Sequence, residues 1–99
     1  MFRGTTPTVV FTLPVDTAML AEAWVTFSQN EVTVIDKELK DLVSVGNALI
    51  VKLTQEETLM LDHEAIVEMQ VRIRTVDGEA VTSDMMRDTV ERILKEGVI

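Results

Sequence analysis

The chain has 99 residues, 46% hydrophobic and 26% charged, which is one small globular domain and excludes a disordered tail, a collagen-like fibre and a charge-dominated linker. Its 17 acidic and 9 basic side chains leave a net charge of −8, a field that repels phosphate backbones and argues against nucleic-acid binding through a broad basic face. With no cysteine, disulfides and thiolate zinc sites are excluded, so the core rests on apolar burial and backbone pairing, or on a partner subunit.

Thr8–Leu13 alternates, with Val9, Phe11 and Leu13 on one face and Val10 and Thr12 on the other, the period of a strand. Pro14 ends it, because proline donates nothing to a ladder. Ala21–Ser28 repeats the pattern, placing Ala23, Val25 and Phe27 on one side and Glu22, Trp24 and Thr26 on the other. Gln29-Asn30-Glu31 reads as a turn into a strand over Val32–Leu39. There Val32 and Val34 point one way and Ile35 the other, which a bulge near Ile35 reconciles. Ser44-Val45-Gly46-Asn47 is turn chemistry. Beyond it Leu49, Val51 and Leu53 alternate with Ala48, Ile50 and Lys52. Thr54-Gln55-Glu56-Glu57 matches a capping box and predicts one short helical turn near residues 55–60, closing an end of the core with Leu59 and Leu61.

Ala65–Thr75 is the clearest strand, with Val67, Met69, Val71 and Ile73 inward and Glu68, Gln70, Arg72 and Arg74 outward. Asp77-Gly78 predicts a hairpin closed by a tight primed turn, its partner strand starting at Ala80 and Val81. Residues 84–96 admit two readings. Ser83 can cap a helix with Met86, Val90, Ile93 and Leu94 on one face, or the hairpin partner can run on as a strand through Val90. The strand is favoured, because the long strand before it needs a long partner. Six or seven short strands separated by turns predict an all-β, antiparallel β-sandwich occupying residues 1–99 as a single domain. The N-terminus lacks the apolar run of a signal peptide, and Ala48–Val51, an apolar run that no other exceeds, is too short to span a bilayer. The expected product is soluble, made in the bacterial cytoplasm, without a membrane partner.

Candidate chemistry is sparse. His63, the only histidine, stands between Asp62 and Glu64, a trio that can be imagined around a metal ion or as a general base. Adjacent residues on extended chain point to opposite sides, so a solvated loop is the better reading. Glu56 and Glu57 are neighbours, which is not how two carboxyls flank a glycosidic bond. No serine sits in a nucleophile elbow, and phosphate-binding and dinucleotide motifs are missing. The expectation is no enzyme, no catalytic residue, no cofactor and no metal.

Trp24 carries more information. On the polar side of its strand it is either a satellite of the core or an interface anchor, a role in which tryptophan is enriched. The interface reading is favoured because Val10 and Ile50 also occupy outer faces, and the three form one patch if their strands are neighbours. The expected contact residues are Val10, Trp24 and Ile50, with Arg72 and Arg74 at the rim.

Three segments carry a family resemblance. The first is Arg3-Gly4-Thr5-Thr6-Pro7-Thr8 running into Phe11-Thr12-Leu13, and the second is Val51-Lys52-Leu53-Thr54-Gln55-Glu56-Glu57-Thr58-Leu59. The third is Val71-Arg72-Ile73-Arg74 before the Asp-Gly turn, closed by Val90-Glu91-Arg92-Ile93-Leu94. Together they resemble small proteins encoded in prophages of Gram-positive bacteria. More distantly, the chain is similar to the N-terminal immunoglobulin-like domain of phage baseplate upper proteins. The resemblance implies an immunoglobulin-like sandwich that docks onto a tail and a final segment that is a strand. It implies no catalytic residues, and its partners are other tail or baseplate proteins or a second copy of the chain, in a virion or tail-like particle. Ending at Ile99, the chain is read as a stand-alone docking or adaptor module. A small ligand- or carbohydrate-binding module of a bacterial host is the alternative.

Overall fold

The computed structural model describes all 99 residues, and its strands form where side-chain polarity alternates. The elements are β1 (Thr8–Thr12), a 3₁₀ turn (Thr17–Met19), β2 (Leu20–Gln29), β3 (Val32–Glu38), a 3₁₀ turn (Leu39–Asp41), β4 (Val43–Val45), β5 (Ala48–Lys52), α1 (Gln55–Leu59), β6 (Val67–Thr75), β7 (Ala80–Thr82) and β8 (Met86–Asp88). One antiparallel sheet has the order β1-β5-β4; the other runs β3-β2-β6, with β7 and β8 both on the far side of β6. The molecule is a β-sandwich.

The strand order is that of an immunoglobulin-like domain. Immunoglobulin sandwiches set strands A-B-E-D against C-F-G, and variable-type domains add C′ and C″ beyond C, of which only C′ has a counterpart here. In chain order β1 to β6 stand in the places of B, C, C′, D, E and F, and β7 with β8 makes up G. Nothing pairs with the far edge of β1, where strand A of that arrangement lies.

Between the sheets lies a single cluster of 16 buried hydrophobic residues. Phe11 and Leu13 come from β1 and its end; Ala23, Val25 and Phe27 from β2; Leu49, Val51 and Leu53 from β5 and its end; Val67, Met69, Val71 and Ile73 from β6. Each is on the face its alternation predicts. Burying one such side chain fully contributes about 1.5–3 kcal/mol, and no disulfide adds to this.

Three local expectations need correction. Ser44 and Val45 are not turn but belong to β4, and Gly46-Asn47 alone makes the turn between Val45 and its partner Ala48. The β6–β7 hairpin closes on the three-residue loop Val76-Asp77-Gly78 rather than a two-residue primed turn. The Thr75 amide donates to Glu79 O at 2.8 Å and the Gly78 amide to Thr75 O at 3.0 Å, with Gly78 at φ 93°. Asp77 also takes a bond from the Thr75 hydroxyl, which steadies the wider loop.

The segment after Gly78 forms no helix, and its strand is shorter and split. Between the pairs Arg72↔Thr82 and Met69↔Met86, β6 has Gln70 and Val71 while the facing chain has Ser83, Asp84 and Met85: one extra residue, a bulge. Ser83 spans the break. Its amide donates to Val71 O at 2.9 Å, and its hydroxyl accepts from the Val71 amide at 3.0 Å in place of a ladder carbonyl. Ordered strand ends at Asp88, and Val90, although buried, lies in irregular chain. The bulge expected near Ile35 is present: Phe27 pairs with Ile35 and Ser28 with Thr33, leaving Val34 as the extra residue.

Candidate functional site

β2 and β6 lie side by side in register, which puts Trp24 opposite Arg72 and Glu22 opposite Arg74. With inward positions taken by Ala23, Val25, Val71 and Ile73, these four side chains share the outer face of the larger sheet. Trp24 is 36% exposed there. Its indole N–H donates to Glu22 Oε1 at 3.0 Å, and the Arg74 guanidinium donates to Glu22 Oε2 at 3.3 Å. The bond from Trp24, then that from Arg74, hold the Glu22 carboxyl below its ordinary range. Glu22 thus fixes the indole and answers one of the two cations. Arg72 forms no ion pair.

These residues, with Ile73 and Ala80, line a shallow depression of about 200 Å³. Pockets that engulf small molecules run to about 300–1,000 Å³. The depression has room for one or two side chains, with the indole as its apolar wall and Arg72, which holds five donors in a planar fork, as its cationic one.

Val10 and Ile50 lie elsewhere. The sequence expects one contiguous patch with Trp24, and the topology separates it: β1 and β5 are neighbours in the smaller sheet, while β2 is in the other. Val10 is directly opposite Ile50, and Ile50 is opposite Val43. The result is an apolar row across the outer face of the three-stranded sheet, on the opposite side of the sandwich. Val43 and Val45, each 59% exposed, enlarge this second patch; both escape sequence reading because turn-forming Gly46 and Asn47 mask so short a strand.

His63 sits half exposed in the loop between α1 and β6. Asp62 lies 4.0 Å from its Nδ1 and Glu64 3.9 Å from its Nε2, so the carboxylates flank the ring on opposite sides rather than converge. No group of three histidine, aspartate or glutamate side chains is placed to hold a metal ion. Glu57 closes the capping box of α1, accepting from the Thr54 amide at 2.9 Å, and pairs with Lys37 of β3 at 2.6 Å.

Two buried polar residues were not legible as structural. Gln29, 6% exposed, donates from Nε2 to Asp62 O at 2.7 Å and Ala65 O at 3.0 Å, and its Oε1 accepts from the Asp62 amide at 2.8 Å. Thr58, fully buried, donates to Thr5 O at 2.8 Å and accepts from the Thr5 amide at 3.1 Å. Gln29 ties the 62–65 loop to β2, and Thr58 ties the N-terminal segment to α1, each in the way a backbone segment would.

No family model, curated protein or solved structure matches the chain. No helix is long and apolar enough to cross a membrane.

Proposed function

We propose that this domain is a non-enzymatic structural protein of a phage or prophage, a tail- or baseplate-associated docking module that works through protein–protein contacts. The observation that carries the docking role is the Trp24 face. A large apolar side chain is held rigid in the open by Glu22, beside an arginine with no carboxylate of its own. Tryptophan and arginine are, with tyrosine, the residue types enriched at the energetic centres of interfaces. The tail setting rests on the resemblance of the three sequence segments to prophage-encoded proteins. The partner surface that fits is acidic at one point and apolar beside it.

Particles induced from a host that carries the gene and purified away from free protein are the test. Mass spectrometry should find the chain in them in fixed proportion to tail proteins. Trp24→Ala and Arg72→Glu should remove it from the particles while leaving its solubility and melting temperature unchanged. A chain missing from every particle overturns the tail assignment, and a Trp24→Ala variant that unfolds makes Trp24 core and overturns the site. Binding on a glycan array that is lost in Trp24→Ala replaces this reading with a carbohydrate-binding module.

A further inference from the structure

The edges of the two sheets are not alike. β3 carries Asp36, Lys37 and Glu38 and the bulge at Val34. The β7–β8 edge is interrupted by its own bulge and carries Arg87 and Asp88. β4 is only three residues long. Charges, bulges and shortness are the devices that stop a sheet edge from pairing with another chain. β1, Thr8-Val9-Val10-Phe11-Thr12, is uncharged and unbulged, and it has no proline.

Its outer side is also open. The Leu13 amide donates to Asn47 O at 2.7 Å and the Leu53 amide to Pro7 O at 3.0 Å, so the odd-numbered residues of this stretch bond to β5. Alternation in an antiparallel ladder then turns the N–H and C=O groups of Thr8, Val10 and Thr12 the other way, where no strand pairs with them. The chain beyond β1 does not cover that side. It crosses toward the β4–β5 turn, where the Thr17 amide donates to Gly46 O at 2.8 Å. Val9 shows the consequence: it faces inward yet is only half buried.

We propose that β1 pairs antiparallel with β1 of a second copy about a two-fold axis through Val10, joining two three-stranded sheets into one of six strands. The occupant is a second copy because the edge is complementary to itself. Rotation about Val10 sets Val10 against Val10 and Thr8 against Thr12 in both directions, all uncharged β-branched pairs of the kind that stabilise facing strands. On the outer face, the row Val43, Ile50, Val10 continues into the same row of the second copy. Each copy carries −8, which opposes any pairing of two copies; β1 itself adds no like charge across the contact, and added salt strengthens it by screening the overall repulsion. The Trp24 face on the other sheet takes no part, so this interface and the docking role stand or fall separately.

Light scattering coupled to size exclusion, over a concentration series of the full chain, tests the interface. The mass should rise toward twice 11.1 kDa, more completely at higher salt. Val10→Pro removes an outward N–H and no bond to β5, and should weaken the dimer about tenfold or more while the circular dichroism stays β-type. Cysteines read the register independently, should that variant fail to fold. Val10→Cys should oxidise to a dimer, since a hydrogen-bonded antiparallel pair holds its Cα atoms about 5.5 Å apart. Thr8→Cys should crosslink to Thr12→Cys when the two are mixed, but not to itself. A monomer at every concentration overturns the proposal. So does a dimer that survives Val10→Pro, that is lost in Trp24→Ala, or that crosslinks Thr8→Cys to itself.

Discussion

Trp24 donates its indole N–H to Glu22, two residues earlier on the same face of β2, across 3.0 Å. The bond occupies one carboxylate oxygen, while Arg74 takes the other. Arg72, facing Trp24 across the ladder, has no ion pair.

This relationship is readable in solution, because Trp24 is the only tryptophan. The hydrogen bond from Trp24, with help from Arg74, holds Glu22 below its ordinary value of 4.5. A carboxyl with a lowered folded pKa keeps its bonds above the ordinary value and loses them as pH falls through the lowered one. Tryptophan emission should therefore shift in a single transition centred below 4.5, and Glu22→Gln should abolish it. A midpoint at or above 4.5, or an unaltered transition in the variant, contradicts the arrangement.

Acid should weaken the contact between α1 and β3 in the same sense. Burial opposes the charge on Glu57, but the bonds from Lys37 and from the Thr54 amide outweigh it and hold the carboxyl below 4.5. Its stabilisation is present above that value and is lost as pH falls through the folded pKa. Urea midpoints measured from about pH 7 to about pH 3 should fall less steeply below 4.5 in Glu57→Gln than in the parent chain. Parallel curves would remove Glu57 from the acid response.

Gln29→Leu keeps the side-chain volume and deletes all three bonds to the 62–65 loop. The Asp62 amide and two carbonyls lose their partner, so the loss should be about 2–3 kcal/mol, a fall in melting temperature of roughly 10–20 °C. A change below about 0.5 kcal/mol would mean that the loop finds other partners.

Glu31→Gly should work in the opposite direction. Asn30 and Glu31 form the two-residue turn between β2 and β3 with φ of 52° and 66°, and Glu31 has a side chain in a region that favours glycine. Relief of that strain, less the extra freedom of glycine in the unfolded chain, should add about 0.5–1 kcal/mol in thermal unfolding. A destabilised variant would show that the Glu31 side chain makes a contact worth more than the strain.

The inward faces of β1, β2, β5 and β6 are legible because alternation depends only on each strand's own residues. The capping box at Thr54 and Glu57 is legible for the same reason. What separates Trp24 from Val10 and Ile50 is which strands pair, a property of residues far apart in sequence, and alternation within a strand says nothing about it. β4 is hidden because three residues beside Gly46 and Asn47 give no period to read. Gln29 and Thr58 are hidden because their burial is stabilised by bonds to backbone groups distant in the chain, at Asp62, Ala65 and Thr5. The split of the last strand turns on the Ser83 hydroxyl standing in for a carbonyl, which a serine before an acidic residue does not announce.

The most direct measurement of the central claim is hydroxyl-radical footprinting of the chain free and bound in purified particles, read residue by residue by mass spectrometry. Trp24, 36% exposed in the free domain, should lose most of its oxidation on assembly. Met60, 55% exposed at the end of α1 and not among the residues lining the Trp24 depression, serves as the reference and should change little. Equal oxidation of Trp24 in the free and bound chain would contradict the account and show that the Trp24 face is not where this domain docks.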